Sequence, residues 1–253
     1  MRSARQGQEA PEFIFKKTNP GRIHLASLGK GTGTIVFVPG SPSSFSAFSR
    51  FLMDENLMKT GRLLSVYRPG FGLSEPKNPE RSLREQSHRI NEGLQKNDVV
   101  NNAILVGHSL GEPVIEHMAA DYLELVKGLV LVAPSMDLEI QKRQRYNCVP
   151  KLPPVKWGLS KDWVHSKEEI YPLENELKWL AEPFPCINPH SIQGMEGELV
   201  PSGNADYVEE ALKSAWHLDI RRIDGLNHVV PWRIPDLIKD AILDTQSREI
   251  KAK

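Results

Sequence analysis

The stretch that decides the fold is Asn101-Asn102-Ala103-Ile104-Leu105-Val106-Gly107-His108-Ser109-Leu110-Gly111. A short apolar run, Ala103 to Val106, ends in a Gly-x-Ser-x-Gly pentapeptide, and a helix-like stretch follows at once. Strand, sharp turn and helix in that order make a nucleophile elbow, which holds a serine in a strained backbone conformation. Bulky side chains two positions either side of the serine would clash, and Gly107 and Gly111 leave that space open. Pro113 falls in the first helical turn, where its missing N–H costs nothing. Ser109 is therefore the candidate nucleophile.

Working outward, Gly33 to Val38 (Gly-Thr-Ile-Val-Phe-Val) and Lys127 to Ala133 (Lys-Gly-Leu-Val-Leu-Val-Ala) have the continuous apolar character of strands covered on both faces. Glu12 to Lys17 and Arg22 to Leu28 read as a hairpin around Asn19-Pro20-Gly21. A strand is expected at Arg62 to Tyr67, followed by the turn-rich Arg68-Pro69-Gly70-Phe71-Gly72-Leu73-Ser74. Helical spacing marks Ser44 to Met58, Ser82 to Gln95 and Gly111 to Leu123. Strands alternating with helices imply parallel pairing through right-handed crossovers, hence an α/β fold with a doubly wound, mostly parallel sheet.

The rhythm breaks between about Met136 and Pro185, where prolines cluster with Tyr146, Trp157, Trp163 and Trp179. Flexible linkers are not rich in tryptophan, so residues 136–185 read as an inserted, largely helical cap, and 1–135 with 186–253 as the core. Trp157 and Trp163 either line an apolar substrate pocket or pack the cap onto the core. The rhythm resumes with a strand at His190 to Gln193, a helix from Ala205 to Lys213, a strand near His217 to Ile223 and a helix after Pro235.

Composition narrows the function. Lys plus Arg and Asp plus Glu number 32 each among 253 residues, so no global field draws in nucleic acid or an anionic membrane. Met1 to Ala10 lacks an apolar signal region and no stretch approaches a membrane span, so a cytoplasmic protein is expected. Cys148 and Cys186 are too few for a disulfide framework.

Cleavage of an acyl bond by serine needs a nucleophile, a histidine to take its proton and donors for the developing oxyanion. His228, in Asp224-Gly225-Leu226-Asn227-His228-Val229-Val230-Pro231, lies in a loop after the last expected strand and is the candidate base. The other histidines sit on expected helices, strands, the cap or the elbow itself. One oxyanion donor is the N–H of Leu110, directly after the nucleophile. The other belongs to the loop after Val38, where Pro39 and Pro42 have no N–H and Ser41 stands beside Gly40.

These ordered motifs resemble the α/β-hydrolase fold family, in its serine esterase or lipase-like branch, over nearly the whole chain. The resemblance implies a hydrolase for a small-molecule acyl substrate, without metal or cofactor, using Ser109, His228 and the Ser41 and Leu110 amides. It also implies a triad acid in a Gly-x-x-Asp-x-x-Val-Pro frame. Gly194, Val200 and Pro201 fit that frame, but Gly197 stands where the acid should be. Glu196 and Glu198 flank the gap, and Asp137, after the preceding strand, is a further candidate; the remaining alternative is a chain with no acid at all. Glu112 replaces a usual small residue after the elbow and is expected to crowd Ser109. These departures imply weak activity, or a silent hydrolase-fold protein that binds a small ligand or a partner.

Overall fold

The structure, a computed structural model, describes residues 10–42, 44–135, 165, 166, 168, 169, 177, 188–196, 202–213, 215 and 217–248. Eight strands form one sheet: β1 Glu12–Lys17, β2 Arg22–Leu28, β3 Gly33–Val38, β4 Gly61–Tyr67, β5 Ala103–His108, β6 Val126–Val132, β7 Asn188–Gly194 and β8 Asp219–Ile223. Their order is β1-β2-β4-β3-β5-β6-β7-β8. The β1–β2 and β2–β4 pairs are antiparallel and every later pair is parallel. This is the doubly wound, mostly parallel sheet that the alternating pattern implies.

The continuous apolar runs are explained by burial on both faces. Val36, Val38, Leu105, Leu129 and Leu131 join one core layer, while their neighbours Ile35, Phe37, Ile104, Val106, Val130 and Val132 join the other. Consecutive strand residues point to opposite faces, so a strand covered on both sides has no polar positions to spare. Helices α3 (Leu83–Gln95), α4 (Gly111–Asp121) and α5 (Gly203–Ala211) supply the first layer. Helices α1 (Ser49–Leu52), α2 (Glu55–Thr60), the short α6 (Val230–Arg233) and α7 (Pro235–Ser247) supply the second. No helix among the described residues is long and apolar enough to cross a membrane.

The single helix expected over Ser44 to Met58 is a correction. The chain forms a 3-10 turn at Phe45–Phe48, then α1 and α2. Asp54 divides them, because its carboxylate accepts the amides of Asn56 and Leu57 and caps a new helix. The apolar spacing continues through the break because α1 and α2 bury residues in the same layer.

Most of residues 136–185 lies outside the described residues, Trp157, Trp163, Asp137 and Cys148 included, as does Cys186. Residues 165, 166, 168 and 169 are described, and His165 and Glu168 meet the core. His165 Nδ1 lies 3.0 Å from the Gly70 carbonyl, and Arg81 and Glu168 pair at 3.0 Å.

Candidate active site

All parallel strands run toward one edge of the sheet, so the loops leaving β3, β5, β7 and β8 converge there. The β5–α4 turn carries Ser109 at φ +54°, a left-handed conformation that a non-glycine residue holds only when its surroundings impose it. They do so here. The Ser109 amide donates to Val132 O at 3.0 Å, and the Glu112 amide to Ser109 O at 2.9 Å. The two glycines are obligatory on steric grounds. A Cβ on Gly111 would lie 2.1 Å from Val38 O, and one on Gly107 would lie 2.6 Å from Glu112 Cα. The N-terminus of α4 points at the turn, and its dipole favours negative charge there.

The loop after β3 presses on the same serine. A Cβ on Gly40 would sit 2.8 Å from Ser109 Cβ. Among the described residues, neither the Ser41 nor the Leu110 N–H has an acceptor, as oxyanion donors require. Behind this loop Arg68 and Glu169 form an ion pair with both side chains 0 % exposed. Neither residue's role was legible in sequence, although Arg68 opens the turn-rich motif after β4. Removing one partner of so buried a pair costs about 3–5 kcal/mol.

His228 reaches the elbow through its neighbour. Its ring lies 4.8 Å from that of His108, and His108 Nε2 is 3.3 Å from the His228 carbonyl. Trp232, 48 % exposed, sets its ring edge against His108 at 5.3 Å. Burial lowers the His108 pKa to about 3, helped by His228, so its ring is neutral at ordinary pH. Sequence reasoning did not single out Trp232; its signal is its place one helical turn beyond His228. The expected structural roles of other histidines fit their placement, as with His190 on β7 between Asp219 at 3.1 Å and Asp244 at 3.0 Å.

Among the described residues the acid side is incomplete, and the buried His228 Nδ1 has no hydrogen-bond partner there. Burial lowers the His228 pKa to about 4, and among the described residues no carboxylate opposes that shift. Glu196 is exposed on the turn after β7; its amide donates to Leu226 O at 2.9 Å, but its carboxylate does not reach His228. The structure therefore does not bring Glu196 to the base, because the turn anchors the backbone there and leaves the side chain in solvent. Asp137, Gly197 and Glu198 lie outside the described residues. Gly194 has a clear local purpose: a Cβ there would lie 2.5 Å from both Leu226 O and Asn227 O, so glycine lets the β7 exit abut the His228 loop.

Glu112 is fully buried with Glu116 one turn along α4. Burial raises both pKa values, and the charge of Glu112 raises that of Glu116 further, while the Ser135 backbone favours the charged form of Glu112. Two carboxyls in this position hydrogen-bond to each other only when one carries a proton. Among the described residues, no group of three His, Cys, Asp or Glu side chains could hold a metal.

The strand order and the strained serine at the β5–α4 turn are those of the α/β-hydrolase fold. A model of the alpha/beta hydrolase family matches residues 35–241, and the chain belongs to that family. Over 121 residues it is 31 % identical to the 2-(acetamidomethylene)succinate hydrolase of Mesorhizobium japonicum, covering 47 % of this chain and 42 % of that enzyme. The match thus spans less than half of that relative's length. Among solved structures, Cfl2 from Burkholderia cenocepacia is similar with a TM-score of 0.74 at 16 % identity, covering 95 % of this chain and 97 % of that one. An E-2-(acetamidomethylene)succinate hydrolase gives 0.70 at 18 %, covering 94 % and 100 %. At these identities the structural likeness shows the shared fold.

Proposed function

We propose that the protein is a serine hydrolase acting on a carboxylic ester or a related acyl compound through an acyl-enzyme. The observation that carries this reading is Ser109 at φ +54°, held there by two glycines that no other residue can replace. Ser109 Oγ attacks the substrate carbonyl carbon and its proton passes to His228. The carbonyl electron pair moves onto oxygen, which the Ser41 and Leu110 amides receive. Collapse expels the leaving alcohol, which takes the proton back from His228. Water, deprotonated by His228, then attacks the acyl-enzyme and releases the acid and free Ser109.

The base works at a disadvantage. A pKa of about 4 instead of 6.5 means that the imidazolium formed in each step is roughly 3 kcal/mol harder to make. Measurable turnover remains expected, because in serine proteases the oxyanion hole and binding alone leave 10^3–10^4-fold catalysis over water. Purified protein should therefore bind a fluorophosphonate covalently and hydrolyse a short p-nitrophenyl ester. Labelling no greater than that of Ser109→Ala would end this reading.

The unpartnered Nδ1 of His228 favours a second reading, a hydrolase-fold protein that binds a small ligand or partner without turning it over. The relative's name specifies a dicarboxylate bearing an acetamido group, which makes acylated small acids the first compounds to assay under either reading.

A further inference from the structure

Arg68 does more than pair with Glu169. Its Nε donates to Pro39 O at 2.8 Å and its Nη2 to Gly40 O at 3.0 Å, the two consecutive carbonyls that precede the Ser41 amide. Nη1 donates to Gln86 Oε1 and to Glu169 Oε1, each at 2.8 Å, and Nη2 also donates to Glu169 Oε2 at 3.0 Å. A guanidinium has five N–H groups in a fixed fork, and here every one has an acceptor. Its plane rests on Phe71, with Cζ 4.8 Å from the ring centroid. Glu169 is saturated in turn: Gln86 Nε2 donates to Oε1 at 3.0 Å, and Ser41 Oγ donates to Oε2 at 2.8 Å.

We propose that Arg68 and Glu169 are positioning residues for the oxyanion hole, and that through Glu169 the 136–185 segment sets how well the Ser41 N–H is aimed and polarised. The inference rests on the serine-hydrolase reading above. A tie between that segment and the core would account for the ion pair alone. It would not account for the grip on Pro39 O and Gly40 O, or for the bond to the Ser41 hydroxyl. In a trans peptide the N–H points opposite to the C=O, so fixing Gly40 O toward Arg68 turns the Ser41 N–H away from it. The same loop abuts the serine, since a Cβ on Gly40 would lie 2.8 Å from Ser109 Cβ. A cationic donor on the Gly40 carbonyl also polarises that amide, which strengthens its N–H as a donor. Glu169 neutralises the guanidinium and holds the Ser41 side chain, so the loop is presented in one orientation before any substrate arrives.

Oxyanion donors act in the transition state, so their misalignment lowers kcat and leaves KM nearly alone. The test compares wild type with Glu169→Gln and Arg68→Lys, using a p-nitrophenyl ester and a trifluoromethyl ketone of the same acyl chain. The ketone adds Ser109 Oγ to form a tetrahedral hemiketal whose oxyanion occupies the hole. Folding is checked by thermal unfolding. Folded variants are expected to lose about 10^2-fold in kcat, with KM within about twofold and the ketone's Ki weakened by the same factor as kcat. Should either variant fail to fold, Glu169→Asp keeps the charge, withdraws the carboxylate by one methylene, and carries the same expectation. Folded variants with wild-type kcat and Ki overturn the positioning role. A wild type that neither hydrolyses the ester nor binds the ketone defeats the hydrolase reading and this inference together.

Discussion

The two halves of the site are built to different standards. Around Ser109 and the β3 loop the groups are tightly fixed: three glycines fit their backbones against neighbours closer than a Cβ allows, and Arg68, Gln86 and Glu169 saturate one another, leaving the Ser41 and Leu110 N–H groups open among the described residues. Around His228 the support stops halfway. His108 meets the ring from one side, with Trp232 behind His108, while among the described residues the buried Nδ1 finds no partner. On the proposed reading, the nucleophile and oxyanion donors are thus preorganised, while among the described residues no carboxylate orients the base or stabilises its charged form. The described residues supply the parts of that chemistry that depend on backbone geometry and not the part that depends on one acidic side chain.

The largest effect should come from disturbing the well-built half. Gly111→Ala places a Cβ 2.1 Å from Val38 O, so the turn must shift, and fluorophosphonate labelling of Ser109 should disappear even in protein that remains folded by circular dichroism. Normal labelling in that variant would mean the elbow is not what holds the serine. Repairing the poor half should come next. Gly197→Asp puts a carboxylate at the acid's place in the Gly194 to Pro201 frame, and kcat on a p-nitrophenyl ester should rise roughly 10^2- to 10^4-fold. An unchanged rate would indicate that another carboxylate already serves His228.

The smallest effect lies behind the elbow, in the Glu112–Glu116 pair. Burial raises both folded pKa values above their unfolded ones, so the protonated forms stabilise the fold. That contribution is complete below the ordinary carboxylate pKa of about 4.3 and is lost as pH rises through the folded values. Glu116→Gln removes the penalty. Its Tm should exceed that of wild type near pH 8, by about 2–4 °C for each kcal/mol relieved, and differ little near pH 5. A Tm gain of equal size at both pH values would show that proton linkage is not its cause.

The legible parts of this protein are those written in consecutive residues. Ile35 to Val38 and Leu129 to Val132 announce a doubly covered sheet because burial alternates residue by residue, and Gly107 to Gly111 announce the elbow because its sterics act within five residues. His228 became the candidate base by its place after the last expected strand. What stayed hidden depends on pairing across the chain. Arg68 and Glu169 are 101 residues apart, and no local pattern tells a buried arginine from an exposed one. Glu112 and Glu116 carry the i, i+4 spacing of a solvated face, yet α4 is packed on both sides of that stripe by the sheet and α3. The break at Asp54 was missed because a single cap was outweighed by apolar spacing that runs through it.

The most direct test of the contrast between the halves is the pH dependence of kcat/KM for a p-nitrophenyl ester between about pH 4 and pH 8, with protein returned to neutral pH to confirm that it stays folded. The rate requires neutral His228, so it falls as pH drops through the pKa of that ring in the free enzyme. With burial acting and no carboxylate opposing it, the rate should stay level down the acid side and reach half its plateau only at about pH 4. Half-plateau at pH 6.5 or above would mean that a carboxylate supports His228 after all, and would contradict the division of the site into a finished half and an unfinished one.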